Sequence, residues 1–317
     1  MPIKKAITNS IEAHKDVINA IKKAGIPLEE EKENNIIQNY RKGKRTLKVI
    51  PKKGESMDTC ATISDKYICC NVKVLKSVAN CPYDCSYCFL QNYLNDGSLK
   101  VVGDEKALME EVIEKCNKEP KKIFRIGTWE LGDSLALEKE TGQAQRFIHH
   151  FKNIPNAVLE LKTKSNVVDP ILKCNHNQKT VVSWSLNSED IVNKQEHKTA
   201  RLHERFEAIK KVTNAGYLIG IHFDPLIIHN NWEENYENCI KTLFKHLKIE
   251  QIAWISIGSL RFNPEMKQKI IQNFPKTNIT SNEMILGDDN KVRYVKPLRL
   301  KLYDHIIRLL KNELKIN

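Results

Sequence analysis

Short apolar runs alternate with amphipathic helical stretches over most of the chain after residue 70. Six runs have the length and composition of buried strands, at residues 73–78, 122–127, 157–163, 181–187, 217–224 and 252–258. Helical spacing of apolar residues follows between most of them, at residues 106–118, 143–151, 202–216 and 236–247. Repeated strand and helix units predict parallel strands joined by right-handed crossovers. We therefore expect an α/β fold built on a partial (β/α)6, TIM-like barrel.

The N-terminal residues have a different pattern, which predicts a basic helical extension over residues 1–60. Ile7, Ile11, Val17, Ile18 and Ile21 recur at helical spacing, and a Gly and a Pro at positions 25 and 27 predict the end of that helix. A second helical stretch is expected up to position 40. Residues 41–48 are densely basic, and they either contact phosphates or form a solvated surface.

Composition narrows the class of protein. The chain has 317 residues, 41% of them hydrophobic, and no apolar run approaches the length that crosses a bilayer. Its first 18 residues lack the uninterrupted apolar core of a secretory signal, so we expect a cytoplasmic protein with no membrane contact. Nine cysteines, an odd number, suit metal ligation or buried thiols better than a disulfide scaffold.

The charge balance leaves two interpretations open. A net charge of +12 suggests a polyanionic partner, because Lys and Arg release counterions when they meet phosphates. Lys, Asn and Ile are all abundant, however, as an AT-rich genome would produce, and most lysines can lie on solvated helix faces. Charge alone does not decide between a nucleic-acid partner and a solvated surface.

Three cysteines form a C-x3-C-x2-C array, Cys81, Cys85 and Cys88, after the first predicted barrel strand. Thiolates are natural ligands of iron–sulfur clusters, and three can hold a four-iron, four-sulfur cluster with one iron left open. An open iron can chelate S-adenosylmethionine (SAM), whose reductive cleavage gives a 5′-deoxyadenosyl radical. The alternative is a structural zinc site, which needs a fourth protein ligand and usually pairs two C-x2-C motifs. The chain has no second C-x2-C motif, which favours the cluster.

The end of this loop, Cys-x-Tyr-Cys-x-Leu-Gln over residues 85–91, resembles the radical SAM spore photoproduct lyases, DNA-repair enzymes that revert a thymine–thymine adduct. Further matches lie at residues 127–134, 161–164, 183–187, 220–225, 232–233 and 293–294. The resemblance implies a carbon–carbon lyase whose 5′-deoxyadenosyl radical abstracts hydrogen from a thymine lesion. It also implies a radical SAM barrel over residues 61–270, DNA as a partner, a reductant such as flavodoxin or ferredoxin, and a monomer.

Carried over by position, the resemblance implies that Lys164, Ser185 and Asn187 contact SAM. A lysine past the third strand can pair with the methionyl carboxylate, and alternate positions of the fourth strand face one way. The alternatives are a solvated lysine and polar residues that cap the next segment.

Other polar or aromatic residues lie at strand ends of the predicted barrel. Glu130, after the second strand, can bind the SAM amino group, or it can interact with a helix dipole. Trp129 can stack on a base or on adenine, or it can cover the core. His222 and Asp224 share one face of the fifth strand and line the cavity if that face is the interior, although His222 can equally be structural.

The C-terminal residues 271–317 are expected to form a hairpin and a helix that complete the barrel domain. Lys291, Arg293 and Tyr294 follow a turn at residues 287–290, and the family's equivalent Arg-Tyr pair lies on a hairpin that enters DNA beside the lesion. The alternative is a basic edge strand that prevents aggregation.

Two departures from the family concern the return of hydrogen to the product. The lyases use a cysteine after the second strand, where this chain has Glu130, and no cysteine lies between Cys116 and Cys174. They also use two tyrosines around the third cluster cysteine; the first is Tyr87 here, whereas the second is Phe89. Three functions stay open: a lesion lyase that quenches its radical through Tyr87, a thiol such as Cys174 or bulk reductant; a related radical enzyme with another substrate; and a non-catalytic iron–sulfur protein that binds nucleic acid.

Overall fold

The computed structural model describes residues 3–31, 35–59 and 71–315. Its strands are β1 (Lys5–Thr8), β2 (Leu28–Glu30), β3 (Thr46–Ile50), β4 (Met57–Thr59), β5 (Val72–Leu75), β6 (Val78–Ala79), β7 (Asp84–Cys85), β8 (Leu99–Val102), β9 (Phe124–Gly127), β10 (Ala157–Thr163), β11 (Thr180–Ser185), β12 (Glu196–His197), β13 (Leu218–Leu226), β14 (Ile252–Ser259), β15 (Arg261–Phe262), β16 (Met284–Leu286) and β17 (Val292–Tyr294). Its helices are α1 (Lys15–Lys23), α2 (Tyr40–Gly43), α3 (Leu90–Tyr93), α4 (Glu105–Lys118), α5 (Glu138–Thr141), α6 (Gln143–Phe151), α7 (Glu189–Gln195), α8 (Leu202–Asn214), α9 (Trp232–His246), α10 (Met266–Asn273) and α11 (Lys296–Leu314).

The main sheet contains the six predicted strands. Its order is β14-β13-β11-β10-β9-β5-β4, with β5 to β14 parallel and β4 antiparallel at one edge. Helices α4, α6, α8 and α9 lie where the sequence predicts helices. Within the described residues β14 and β4 do not pair with each other, so the barrel is open and the predicted partial barrel is confirmed.

The two faces of this sheet differ in chemistry. On β10, Leu159 and Leu161 belong to the apolar core that the helices cover, and Val182 and Trp184 do the same on β11. The alternate residues of the same strands are polar, because successive side chains of a strand point to opposite faces. The open barrel therefore has an apolar outer face under its helices and a polar inner face.

The N-terminal region differs from the predicted helical extension. Helix α1 is present, but β1, β2 and β3 join β8 and β6 in a five-stranded sheet of order β2-β1-β3-β8-β6. Where a second helix was expected, the described residues form strand β2, an irregular stretch over residues 35–39 and the single turn α2. Strands of three to five residues leave little periodicity in the sequence, and here their partner β8 comes from the predicted barrel region.

Part of the basic segment 41–48 is internal. Lys44 is buried and its ammonium lies 2.9 Å from Asp84, and the buried Lys48 pairs with Asp96 at 3.0 Å. Arg41 and Lys42 are exposed. The segment therefore supplies structural ion pairs as well as exposed charge.

The C-terminal residues form the predicted hairpin and helix. Strands β16 and β17 pair antiparallel around the turn at residues 287–290, and β15 joins on the other side of β17. Helix α11 follows and packs against α9. None of the described helices has both the length and the apolar content that crossing a membrane requires.

Candidate active site

The cysteine loop begins at a residue whose backbone is fixed on both sides. Asn80 has φ of 68°, in the left-handed region that Asn tolerates. Its buried carboxamide donates to the Gly97 carbonyl at 2.8 Å and accepts from the Cys81 N–H at 2.8 Å. The start of the loop is thereby held against the segment that leads into β8.

The other end of the loop is held by strand and helix contacts. The two-residue strand β7 pairs antiparallel with β12, and the Cys88 N–H donates to the Cys85 carbonyl at 3.1 Å. Gln91, at the start of α3, donates to the carbonyls of Ser86 and Cys88 at 2.8 and 3.0 Å. The backbone around all three cysteines is therefore ordered by the protein itself.

The donor set of this loop fits an iron–sulfur cluster. Cys81, Cys85 and Cys88 are free thiols, each half-buried at the protein surface. Desolvation raises the pKa of Cys85 to about 12, so cluster assembly has to displace protons from the thiols. Within the described ranges no three His, Cys, Asp or Glu side chains converge on one ion, whereas a four-iron cluster takes each thiolate on a different iron.

Asp84 lies behind the loop, among three cations. The side chain is buried and pairs with Lys44 at 2.9 Å, with Lys198, and with Arg41 at 3.6 Å. Burial opposes its charge, but the two ammonium groups hold the pKa of Asp84 below its ordinary value. The ion pairs join the loop to α2 and to the residue after β12.

Tyr87 is anchored beneath the cysteines. Its hydroxyl donates to Oε1 of Glu196, and Oε2 of Glu196 accepts from Arg205 at 2.6 Å. Arg205 is fully buried, and it also donates to the Ser185 carbonyl at 2.9 Å. One buried ion pair thus links the loop, β12, α8 and the end of β11.

Lys164 lies next to this anchor, as the family resemblance implies. Its ammonium is 5.8 Å from the centroid of the Tyr87 ring, and its charge opposes the rise in the pKa of Cys85. The backbone position is set by Asp133, which accepts from the Lys164 N–H at 2.7 Å and from the Thr163 hydroxyl at 2.6 Å. A predicted SAM contact and the cluster loop therefore meet at the carboxyl end of β10.

The other two predicted SAM contacts differ in how far they are engaged by protein. Ser185 ends β11 and is buried, directly beside the Arg205 guanidinium that binds its carbonyl. The Asn187 carboxamide donates to the Pro225 carbonyl at 2.8 Å and accepts from the Tyr236 hydroxyl. Asn187 therefore fixes the ends of β11 and β13 relative to each other.

Glu130 lies three residues after β9 and is half-buried, with its charge acting on Lys76. Phe89, close in sequence to the cluster cysteines, is 46% exposed and contacts the Tyr93 ring edge-on at 6.0 Å. Cys174 is elsewhere, because it lies against Pro170 in the connection that enters β11 at its amino end. Cys174 is therefore not among the candidate hydrogen donors at the carboxyl ends of the strands.

The inner face of the barrel carries a buried polar network around Glu160. This carboxylate accepts from Arg125 at 2.8 and 3.0 Å, from Ser183 at 2.8 Å and from Trp129 at 3.1 Å. His222 Nε2 lies 2.8 Å from Glu160, and its Nδ1 lies 2.6 Å from the Ser256 hydroxyl. Because a carboxylate only accepts, the histidine donates from Nε2 and accepts at Nδ1.

The two titratable groups of this network differ in charge at neutral pH. Burial and the nearby Lys162 ammonium lower the pKa of His222 to about 4, so the ring is neutral at neutral pH. Burial opposes the charge of Glu160, but the hydrogen bond from His222 and the charge of Arg125 lower its pKa to about 2. The predicted interior position of His222 is confirmed, and its role there is structural.

The hairpin places two predicted nucleic-acid contacts inside the protein. Tyr294 is fully buried in the core, and its hydroxyl accepts from the Ile228 N–H at 3.1 Å. Arg293 is buried and pairs with Asp289 of the same turn. Tertiary packing turns both side chains away from solvent in this structure, and the contact of this Arg-Tyr pair with DNA stays a prediction. Lys291 is half-exposed beside them.

Several residues of the site were missed from the sequence, and some had a signal. Arg205 occupies a position on the apolar face of α8, between Leu202 and Ile209, where a cation indicates a buried ion pair. Glu160 and Lys162 interrupt an apolar strand at alternate positions, which indicates a polar inner face. Asp133 and Glu196 had no comparable signal, because their partners are distant in sequence.

Comparisons with known proteins agree on one family. A family model described as spore photoproduct lyase matches residues 5–301. The spore photoproduct lyase of Bacillus subtilis is 28% identical over 78% of this chain and 72% of its own length, and that of Clostridium acetobutylicum is 25% identical over 82% and 74%. A solved structure of a spore photoproduct lyase variant with bound AdoMet and dinucleoside spore photoproduct has a TM-score of 0.85 at 22% identity, covering 98% of this chain and 96% of that one. A second, complexed with dinucleoside spore photoproduct, has the same TM-score, identity and coverage.

Proposed function

This chain belongs to the spore photoproduct lyase family, and on that premise we propose that it is a radical SAM enzyme that acts on a thymine lesion in DNA. The observation that carries the proposal is the meeting of Lys164 with the cysteine loop, where its ammonium lies 5.8 Å from the Tyr87 ring centroid. A cluster ligand set and a cation suited to a carboxylate thus share one place at the strand ends.

The cofactors of the proposal are a four-iron, four-sulfur cluster and SAM. Cys81, Cys85 and Cys88 would hold the cluster, and Lys164, Ser185 and Glu130 are the proposed SAM contacts. When both are bound, they supply a 5′-deoxyadenosyl radical that abstracts hydrogen from the lesion. The Asn187 carboxamide already hydrogen-bonds to the Pro225 carbonyl and the Tyr236 hydroxyl. Asn187 therefore remains a candidate SAM contact only through the part of its side chain that these two bonds leave accessible.

The protein's own part is to hold these groups in place and to limit water. Glu196 and Arg205 fix the Tyr87 side chain, and Asp133 fixes the backbone of Lys164, so the Tyr87 ring and the position of Lys164 are set before ligands bind. The part of the inner wall around Glu160 is built from groups that are already paired. Such a preorganised polar wall accepts a substrate without reorganising.

The return of hydrogen is where this chain departs from its relatives. Phe89 has no labile hydroxyl hydrogen, and Cys174 lies away from the strand ends. Tyr87 keeps a hydroxyl at the loop, hydrogen-bonded to Glu196. We therefore assign Tyr87 as the side chain of this chain that takes part in hydrogen return, with bulk reductant as the other source.

A second candidate function is a lyase-like radical enzyme with another substrate. The buried state of Arg293 and Tyr294 favours it, since the hairpin does not present an Arg-Tyr pair to DNA. A non-catalytic iron–sulfur protein would not require the SAM contacts around Lys164.

For the enzyme itself, the proposal includes a flavodoxin or ferredoxin as reductant, a monomeric state and a cytoplasmic location.

The test uses the full chain after anaerobic cluster reconstitution. With dithionite and SAM, release of 5′-deoxyadenosine is expected, and added DNA that contains spore photoproduct should be converted to thymines. An intact cluster without 5′-deoxyadenosine release would overturn both enzyme functions. Release without conversion of the lesion would support the second candidate. A deuterium label in the oligonucleotide then reports whether hydrogen moves from the lesion to 5′-deoxyadenosine.

A further inference from the structure

The inner face of β10 carries an ammonium group that no described oxygen accepts. Lys162 lies between Glu160 and Lys164, and alternate residues of a strand share a face, so all three point into the barrel. The Lys162 ammonium lies 4.5 Å from the centroid of the Trp129 ring. Within the described part of the chain it makes no hydrogen bond or ion pair. The side chain is half-buried, so a ligand in the barrel can reach it.

The charges that face Lys162 come from four neighbouring residues. Glu160 and Asp224 favour its charge, while Lys164 and Arg125 oppose it. Both acids are already engaged, Glu160 by Arg125 and Asp224 by Arg261 at 3.1 Å. An ammonium taken partly out of water without an acceptor costs free energy, and perturbed groups of this kind cluster at functional sites.

Trp129 forms a fixed wall beside this ammonium. Its indole N–H donates to Glu160 at 3.1 Å, and a methyl group on Gly127 would approach the indole nitrogen to 2.2 Å. The ring is therefore held over a glycine in one orientation, with the Lys162 ammonium over its face. An ammonium held on an indole face keeps N–H donors for a neutral ring that carries an exocyclic oxygen.

We propose that Lys162 and Trp129 form a pyrimidine-binding subsite, in which the indole holds the ammonium and the ammonium donates a hydrogen bond to a ring carbonyl of the lesion. The subsite rests on the proposed function, since the lesion supplies the pyrimidine. Lys162 lies two residues from Lys164 toward the amino end of β10, deeper in the barrel than the proposed SAM contact. The charged phosphodiester backbone is expected to stay at the opening of the barrel. A base inserted into the barrel would bring its ring carbonyls to the depth of Lys162.

The test compares Lys162→Met and Lys162→Arg with Lys173→Met, an exposed lysine in the connection between β10 and β11. Reconstituted protein with SAM, kept without reductant so that no turnover occurs, is titrated with labelled oligonucleotides by fluorescence anisotropy. Lys162→Met should weaken binding of spore-photoproduct DNA about tenfold and leave binding of undamaged DNA unchanged, as expected for one lost charge-assisted hydrogen bond. Lys162→Arg should stay within about threefold of the wild type, because the guanidinium also donates.

A second measurement identifies the acceptor. Lesions in which one ring carbonyl is replaced by a thiocarbonyl, a weaker acceptor, should bind the wild type less well at one ring position and show no further loss with Lys162→Met. The melting temperature of Lys162→Met should be close to that of the wild type, since the variant removes both a half-buried cation without a hydrogen-bond acceptor and its contact with the Trp129 ring.

Three results would overturn the subsite. Equal loss of affinity for damaged and undamaged DNA would mean that Lys162 contacts backbone phosphate. A fall in SAM-dependent 5′-deoxyadenosine release without DNA would make it a SAM contact. Unchanged lesion affinity in Lys162→Met would mean that the ammonium contacts nothing in the substrate. If the wild-type protein itself shows no preference for the lesion, the proposed function fails together with the subsite. The three results above concern the Lys162 variants, so the two kinds of failure can be told apart.

Discussion

The Tyr87 hydroxyl donates a hydrogen bond to the Glu196 carboxylate, which fastens the loop between Cys85 and Cys88 to a strand 109 positions away in the sequence. Glu196 is charged in a buried setting because Arg205 pairs with its other oxygen at 2.6 Å. The geometry of the cluster loop therefore depends on an ion pair that lies outside the loop.

Removing the cation of this pair should be costly. Arg205→Met leaves the Glu196 carboxylate buried without its partner and should destabilise the protein by about 3–5 kcal/mol. Urea unfolding of the apo protein measures the loss. The double variant Arg205→Met/Glu196→Gln should recover a large part of it, because no charge is then buried alone. A single variant as stable as the wild type would contradict the ion pair.

The cysteine ligands have a direct test by iron content. Replacing Cys81, Cys85 or Cys88 by Ala should reduce bound iron from about four per chain toward zero after reconstitution, since the loop supplies all the protein ligands of the cluster. Cys239→Ala is the matched control, because that thiol is buried against the Asn187 carbonyl. Iron and sulfide analysis with the visible absorption spectrum measures the result. Full iron content in any of the three variants would exclude that residue as a ligand.

Lys164 is expected to act on SAM and not on the cluster. Lys164→Met should keep the iron content and weaken SAM binding by tenfold or more, about 1.4 kcal/mol or above, because a charge-assisted hydrogen bond to the carboxylate is lost. Equilibrium dialysis with labelled SAM measures the affinity, and Lys173→Met serves as the exposed control. Unchanged affinity for SAM would mean that Lys164 is a solvated lysine that does not contact SAM.

The Glu160–His222 pair predicts a stability that falls in acid. His222 has a pKa of about 4 in the folded protein and about 6.5 when unfolded, so only the unfolded chain binds a proton between these values. Stability should therefore fall as the pH drops from 6.5 to 4, by up to about 3 kcal/mol from this group. Glu160, with a folded pKa of about 2, extends the loss below pH 4.5.

The variant His222→Asn should flatten this dependence between pH 6.5 and 4. The exposed His203→Asn is the control and should keep the wild-type slope. Thermal unfolding at a series of pH values measures both. An identical slope in His222→Asn and wild type would show that the ring is not held neutral.

The burial of Tyr294 predicts that its hydroxyl stabilises the fold and does not bind DNA. Tyr294→Phe leaves the Ile228 N–H without its acceptor and should cost about 1–2 kcal/mol, with DNA affinity unchanged. Lys291→Ala should instead leave stability unchanged and weaken DNA binding, most strongly at low salt. If Tyr294→Phe lost DNA affinity while keeping full stability, the result would show that the Arg-Tyr pair contacts DNA.

The six barrel strands, the helices between them and the cysteine loop could be predicted from local sequence patterns. These features depend on residues close together in the chain: alternation with a period of two, helical spacing, and three thiols within eight positions. The polar inner face was also encoded locally, since Glu160 and Lys162 alternate with Leu159 and Leu161 along β10.

Which of these residues contact one another depends on the packing of distant segments. Strands β1 to β3 became a sheet because β8, from another region, pairs with β3. Tyr294 lies in the core, where its hydroxyl accepts a hydrogen bond from the Ile228 N–H. Glu160 is hydrogen-bonded to His222, which lies 62 positions away in the sequence. Local patterns fix the face on which a side chain lies, whereas its partner depends on long-range packing, which leaves no periodic signal in the sequence.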